Sequence, residues 1–178
     1  MHANLNGDFV RGMNYTHLPE IIQQGVKLHR SIDDFIDRHP KVLELKRAFQ
    51  GDLPKVSGIA IDLIFDQLLA KNWNQYHPIE LNTFLSNFYQ SALPYQDYLH
   101  PNYLFLMDKI IEYRWINQYP LLSGLDAAAS GLSRRISFPN ELSKTTAVYL
   151  KFEDQTNRVF EDFIKDVMNH FEVVPPSI

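Results

Sequence analysis

Ten prolines and a helical spacing of apolar residues constrain the fold of this chain most strongly. Proline is tolerated in the first turn of a helix and excluded from helix interiors, so each proline marks a helix start or a loop. No segment of useful length alternates between apolar and polar residues with period two. The sequence therefore predicts an all-α fold, a single-domain helical bundle of about seven helices. The domain is expected to span residues 1–178, with 172–178 as a frayed tail.

Seven apolar stretches are the predicted helical regions. They are the stretch between Pro19 and Pro40, then Val42 to Phe49, Ile59 to Trp73, Leu81 to Leu93, Leu99 to Tyr119, Leu121 to Leu132, and Glu141 to Phe171. The spacing leaves open whether the last stretch forms one helix or two.

Composition excludes several classes of function. The chain has no cysteine, so disulfides, zinc–thiolate sites, iron–sulfur clusters and thiol catalysis are excluded, and any metal must be bound by oxygen and imidazole. A net charge of −4 argues against a nucleic-acid-binding domain. No apolar run approaches the ~20 residues of a membrane span, and the N-terminus lacks the layout of a signal peptide. We therefore expect a cytoplasmic protein with no membrane span.

Sorting the seven histidines by position leaves one candidate site residue. Three precede a proline and sit at helix entrances, two lie in polar terminal or loop sequence, and one closes the last helix. His39, His77 and His100 precede a proline, His2 and His17 lie in terminal or loop sequence, and His170 closes the last helix. His29 alone lies mid-helix on an apolar stripe, where a histidine is more often a satisfied core residue than a ligand. Asp33 follows one turn later and shares its ridge, whereas Asp34 and Asp37 are expected to be solvated.

Asp62 and Asp66 form a pair of like charges four residues apart inside the most apolar predicted helix. Like charges at this spacing destabilise a helix, and an ionised carboxylate placed among core residues needs a partner. Two interpretations remain open, namely ion pairs to Arg or Lys from another helix, or a shared divalent cation. Asp8, in the segment LNGDFV, is a third source of carboxylate.

One histidine and several aspartates on separate helices suit a hard or borderline divalent ion, such as Mn²⁺, Mg²⁺ or iron. Such an ion activates water and polarises a phosphoryl oxygen. The residues therefore indicate a helical, metal-dependent hydrolase of a phosphoester, and composition does not name the substrate.

The order of four motifs adds a resemblance to a known family. The motifs are N-L-N-G-D-F-V-R-G at 4–12, G-V-K-L-H-R-S-I-D-D-F-I-D-R-H-P at 25–40, I-D-L-I-F-D-Q-L-L-A-K-N-W at 61–73 and L-S-R-R at 132–135. This order resembles the acyl carrier protein phosphodiesterase family, a divergent branch of the HD phosphohydrolase group. The resemblance extends from Asn4 to about Phe171 and implies an HD-phosphohydrolase-like helical bundle.

The resemblance implies hydrolysis of the phosphodiester that joins 4′-phosphopantetheine to a serine of acyl carrier protein, releasing the apo-protein. It also implies a divalent metal, typically Mn²⁺, with Mg²⁺ or Fe²⁺ as alternatives. The family's motif acids fall on Asp8, Asp33, Asp62 and Asp66, and its motif histidine on His29. We expect His29, Asp62 and Asp66 to bind the metal, while Asp8 and Asp33 either bind it or orient His29.

Basic residues complete the expected site. Arg30, or the pair Arg134 and Arg135, is expected to neutralise charge that develops on the phosphoryl group. Acyl carrier proteins are strongly acidic, so the enzyme should present a basic surface even though its net charge is negative. The window from Leu132 to Lys151 is the preferred docking candidate, with Arg134, Arg135 and Lys144 as its contacts, although a solvated helix end explains it equally well.

Two departures from the family pattern keep other functions open. The family usually has an aspartate–histidine pair where this chain has Asp66 and Gln67, and it normally begins with a further apolar segment that carries histidines. We therefore expect either a shortened start or a reduced site. The alternatives are an HD-type hydrolase of a small phosphoester or nucleotide, and a degenerate helical protein that binds a partner without catalysis. The oligomeric state does not follow from the sequence.

Overall fold

The computed structural model describes residue 9, residues 15–91 and residues 97–173. Within these ranges the regular structure is entirely helical, which confirms the predicted all-α fold. The eight α-helices are α1 (Glu20–Arg38), α2 (Pro40–Phe49), α3 (Ser57–Lys71), α4 (Leu81–Ser91), α5 (Pro101–Tyr113), α6 (Leu122–Ser133), α7 (Thr145–Lys151) and α8 (Glu153–His170). The last predicted stretch, which was open between one helix and two, forms a 3₁₀ turn followed by α7 and α8.

The chain divides into two compact units, each made of two separate stretches of sequence. Unit 1 takes residues from 1–36 and 81–114, and unit 2 takes residues from 37–80 and 115–178. The expectation of a single domain stays a prediction. The expected tail at 172–178 falls mostly outside the described residues, which end at Val173.

Unit 1 contains α4, α5 and most of α1. Its buried side chains are Ile22, Val26, Leu85, Phe88, Leu99, Tyr103, Met107 and Ile110. The turn before α1 is closed by the Gln23 side chain, whose Nε2 donates to the carbonyls of Thr16 at 3.0 Å and Leu18 at 2.9 Å. These bonds satisfy carbonyls that no helix ladder reaches and so define where α1 begins.

Unit 2 is arranged around α3, which contacts α2, α6, α7 and α8. Its buried stripe includes Ile61, Ile64 and Leu68. Phe65 packs against Phe160 and Phe163 of α8, with ring centroids 5.3 and 5.2 Å apart. Aromatic contacts of this kind add to the burial of apolar area, so α3 is the central helix of the unit 2 core.

A polar clasp joins the start of α2 to α8. The Nε2 atom of His39 lies 3.1 Å from Oδ2 of Asp166, and Nζ of Lys41 lies 2.6 Å from Oδ2 of Asp162. The His39 ring also meets the ring of Phe163 edge-on at 5.3 Å. His39 therefore lies at a helix entrance, as its position before Pro40 predicts, but it is buried and joins two helices.

A search of the described helices for one long and apolar enough to cross a bilayer finds none.

Candidate active site

The predicted histidine and its neighbouring aspartate meet on α1. The Nε2 atom of His29 lies 3.5 Å from Oδ2 of Asp33, one turn later. The imidazole side chain is 13% exposed and the carboxylate side chain 38% exposed, so the pair lies at the border between core and solvent. A carboxylate in this position can orient an imidazole and favour one of its tautomers.

The next residue, Arg30, is exposed and its guanidinium lies over the ring of Tyr15, 4.7 Å from the ring centroid. A cation–π contact of this kind holds the guanidinium in place without neutralising its charge. Arg30 therefore remains available to an anionic group. Its neighbours Asp34 and Asp37 are exposed, as the sequence predicts.

The two aspartates of α3 lie on its solvent side. Both residues have exposed surface in the described part of the chain, although the carboxyl group of Asp66 is strongly desolvated, so the expectation that they lie among core residues stays a prediction. Successive residues in an α-helix are rotated by about 100°, so positions 62 and 66 differ by only about 40° and share a ridge. The buried stripe with Ile61, Ile64 and Leu68 is on the other side of the same helix. We call the exposed pair the Asp62–Asp66 ridge.

Asp66 has an unusual acidity for an exposed aspartate. Desolvation, together with a smaller contribution from the neighbouring charge of Asp62, raises the pKa of its carboxyl group from 3.8 to about 7. A pKa raised in this way is typical of groups at functional sites.

Gln67, at the position where the resemblance implies a histidine, points away from the Asp62–Asp66 ridge. It is 2% exposed, and its Nε2 donates to the carbonyl of Pro120 at 3.1 Å. Its Oε1 atom is buried and has no hydrogen-bond partner among the described residues. In this chain position 67 therefore belongs to the interior of unit 2.

The metal-ligand expectation stays a prediction. Asp8 lies outside the described residues, His29 belongs to unit 1, and Asp62 and Asp66 belong to unit 2. In the part of the chain that is described, no three histidine, aspartate or glutamate side chains are grouped closely enough to hold an ion. What the structure brings together is two pairs, His29 with Asp33 and Asp62 with Asp66.

The predicted docking arginines lie at the end of α6 and are both exposed. Asn140 secures the loop that follows them, because its Nδ2 donates to the carbonyls of Ser133 and Phe138 and its Oδ1 accepts from Ser133 Oγ and the Leu142 N–H. Lys144, the third predicted contact, is exposed and pairs with Glu141 at 2.7 Å.

Sequence reasoning missed Lys55, whose ammonium lies 6.0 Å from the ring centroid of Phe138 in the same loop. Lys55 is distant from Phe138 along the chain, and no local pattern connects them. We refer to Lys55, Arg134, Arg135 and Lys144 as the basic patch.

Comparison with known proteins assigns the family. The model of the acyl carrier protein phosphodiesterase family matches residues 1–167. The chain belongs to this family. Relatives named acyl carrier protein phosphodiesterase include those of Salmonella agona (strain SL483) and Salmonella newport (strain SL254). Each is 27% identical over 136 residues, which cover 76% of this chain and 70% of the relative.

No solved structure matches this chain. The family predicted from the four motifs is confirmed, and so is the prediction of an enzyme of the phosphodiester hydrolase class.

Proposed function

We propose that this chain hydrolyses the phosphodiester between 4′-phosphopantetheine and a serine of acyl carrier protein, releasing apo-acyl carrier protein. The observation that carries the proposal is the family match over residues 1–167, supported by relatives that bear the name acyl carrier protein phosphodiesterase. The exposed Asp62–Asp66 ridge offers acidic groups that a protein-bound substrate can reach.

We propose further that the reaction uses a divalent cation, Mn²⁺ in preference to Mg²⁺ or Fe²⁺, held by His29, Asp62, Asp66 and Asp8. The donor chemistry supports this, since the chain supplies carboxylates and imidazole and has no cysteine. A cation next to Asp62 and Asp66 would offset the repulsion between two like charges on one helix ridge. When bound, such an ion polarises a phosphoryl oxygen and lowers the pKa of a water ligand.

The remaining steps are assigned to side chains of this protein. Asp33 Oδ2 lies 3.5 Å from His29 Nε2, and a hydrogen bond donated by that nitrogen would leave Nδ1 with its lone pair for a ligand. Desolvation and the charge of Asp62 raise the pKa of Asp66 to about 7, so the cation must displace a proton from this carboxyl group near neutral pH. Arg30 carries a charge that no ion pair neutralises in the described part of the chain, and we assign it to the phosphoryl oxygens.

We also propose that the basic patch docks the acidic carrier protein. Arg134 and Arg135 are exposed and carry most of the attraction, whereas the charge of Lys144 is partly balanced by Glu141. Changing Arg134 and Arg135 together to Glu should weaken carrier protein binding at least tenfold and flatten its salt dependence. Surface plasmon resonance at two salt concentrations measures both, and unchanged affinity would remove the patch from the proposal.

The decisive experiment is direct. Purified protein with Mn²⁺ is incubated with holo-acyl carrier protein, and intact-mass spectrometry follows loss of the phosphopantetheine mass. We expect complete conversion with the wild type and none with Asp66→Asn. Asp126→Asn, an exposed aspartate of α6, is the matched control and should remain active. No conversion by the wild type with any of the three metals would refute the proposed reaction.

Metal binding is tested without substrate. Titration with Mn²⁺ followed by electron paramagnetic resonance of the free ion should show binding to the wild type. The affinity should fall in Asp62→Asn and His29→Ala and stay the same in Asp126→Asn. Equal affinity in all four proteins would show that the predicted ligands do not hold the ion.

A further inference from the structure

Unit 2 contains a groove of about 640 Å³ between the C-terminal end of α3 and α8. Its apolar lining is formed by Leu68, Phe160, Ile164 and Met168. This volume lies within the range of small-molecule sites, which are mostly apolar with a few polar groups that fix orientation. None of the residues assigned above to catalysis, metal binding or docking lines the groove.

Two lysines stand at the groove, Lys71 at the end of α3 and Lys165 on α8. Both are exposed, and neither forms an ion pair shorter than 4.0 Å in the described ranges, although the charge of Lys165 lowers the pKa of the neighbouring Asp162. Glu161 is the one acid among the described lining residues, so the groove carries an excess positive charge. A ligand that satisfies this charge must be anionic.

The other polar groups of the groove are mostly committed to the protein. Asn72 Nδ2 donates to the carbonyl of Leu68 at 2.8 Å, and Asn157 Oδ1 accepts from the hydroxyl of Tyr149 at 3.1 Å. Tyr76 lines the groove with its ring against Phe160, and desolvation raises the pKa of its phenol, so its hydroxyl stays a donor. Gln75 also lines the groove, and its Nε2 donates to Asn72 Oδ1 at 3.4 Å, so the polarity left for a ligand comes mainly from two ammonium groups and one hydroxyl.

We propose that this groove binds an anionic amphiphile, with its alkyl chain on Leu68, Ile164 and Met168 and its carboxylate or phosphate head between Lys71 and Lys165. A neutral apolar ligand would leave both ammonium groups without a partner, and a cationic amphiphile would be repelled. A stable protein–protein interface buries roughly 800 Å², or about 20–30 residues, on each side, whereas eleven described residues line this groove. The site is independent of the hydrolase reaction proposed above.

Isothermal titration of the full chain with decanoate and with decyl phosphate tests the proposal, and decyltrimethylammonium serves as the ligand with the opposite charge. We expect both anions to bind and to shift the methyl resonance of Met168 in proton–carbon spectra. Tighter binding of decyl phosphate would assign the ligand to phosphate-headed lipids, and tighter binding of decanoate to fatty carboxylates. No binding, or equal binding of the cation, would overturn the proposal.

Charge variants sharpen the test, with thermal melts confirming that each protein is folded. Lys71→Gln and Lys165→Gln should each weaken anion binding roughly two- to fivefold, the usual worth of an exposed ion pair. Glu161→Gln should strengthen it, because a like charge is removed from the head-group site. Lys27→Gln, an exposed lysine of α1, is the matched control and should leave the affinity unchanged. Weakening by Glu161→Gln, or an equal effect of Lys27→Gln, would contradict the assigned site.

Discussion

Helices α1 and α3 each carry a pair of titratable residues four positions apart, and the two pairs differ in their electrostatics. On α1, Nε2 of His29 and Oδ2 of Asp33 lie 3.5 Å apart and can attract each other. On α3, Asp62 and Asp66 have the same charge when ionised, and desolvation with mutual repulsion raises the pKa of Asp66 to about 7. The same spacing thus produces an attractive pair on α1 and a repulsive pair on α3. The repulsion on α3 is relieved when a proton or a cation binds.

The largest expected effect concerns activity and separates the two pairs directly. Asp66→Asn should lower turnover of holo-acyl carrier protein by at least roughly a hundredfold, because it removes a carboxylate assigned to hold the metal. Asp33→Asn should cost less, roughly tenfold to a hundredfold, since Asp33 acts through His29. Initial rates from intact-mass spectrometry measure both. A larger loss for Asp33→Asn would reverse the roles assigned here.

Thermal stability should change in opposite directions for the two pairs. A carboxyl group whose pKa is raised in the folded state destabilises the fold as pH rises from its ordinary value near 3.8 through about 7. Asp66→Asn should therefore stabilise the protein at pH 8 by about 1 kcal/mol, a modest gain because the residue is exposed, and by nothing at pH 3. This corresponds to a rise in Tm of about 2–4 °C. Differential scanning calorimetry of the wild type and Asp66→Asn at pH 8 and pH 3 measures the change. A lower Tm of Asp66→Asn than of the wild type at pH 8 would contradict the raised pKa.

The two causes of the raised pKa of Asp66, desolvation and the charge of Asp62, can be separated by mutation. Asp62→Asn removes the neighbouring charge but leaves the desolvation, which is the larger cause. The pKa of Asp66 should fall from about 7 and remain above 3.8. Carbon-13 carboxyl shifts followed through a pH titration give the value. A pKa that does not move would mean that the two carboxylates do not interact.

The smallest effect is expected for the stability of the α1 pair. Asp33→Asn weakens one contact at the usual helical spacing, worth about 0.2–0.5 kcal/mol. Urea unfolding at pH 6 measures the loss, and Asp34→Asn on the same helix is the control. A loss above about 2 kcal/mol would show that Asp33 belongs to a buried network.

The sequence predicted much of this protein from local patterns. Apolar spacing located the regions that contain the eight described α-helices but left open the division of the last region into α7 and α8, and proline positions located the starts of α2 and α5 directly after His39 and His100. Motif order predicted the family. These features depend on residues close together in the chain, where helical geometry alone fixes which side chains share a face.

The burial of the acidic pair could not be predicted in this way. Asp62 and Asp66 lie in the most apolar stretch of the sequence. The buried side chains of this helix occupy only part of its circumference, and the Asp62–Asp66 ridge keeps exposed surface. The buried side chains include Ile61, Ile64, Phe65 and Leu68. Which side of a mostly apolar helix faces solvent depends on its neighbours, here α2, α6, α7 and α8.

The chain's sequence by itself determined that the fold is helical, that His29 is paired with Asp33 one turn away, and that the protein belongs to the acyl carrier protein phosphodiesterase family. Only the tertiary structure decided that Gln67 lies in the core against Pro120 and that Lys55 joins the loop after Arg135. The physical reason is the sequence separation over which each interaction acts. Backbone geometry acts between neighbours in sequence, whereas burial and desolvation depend on residues that folding brings together.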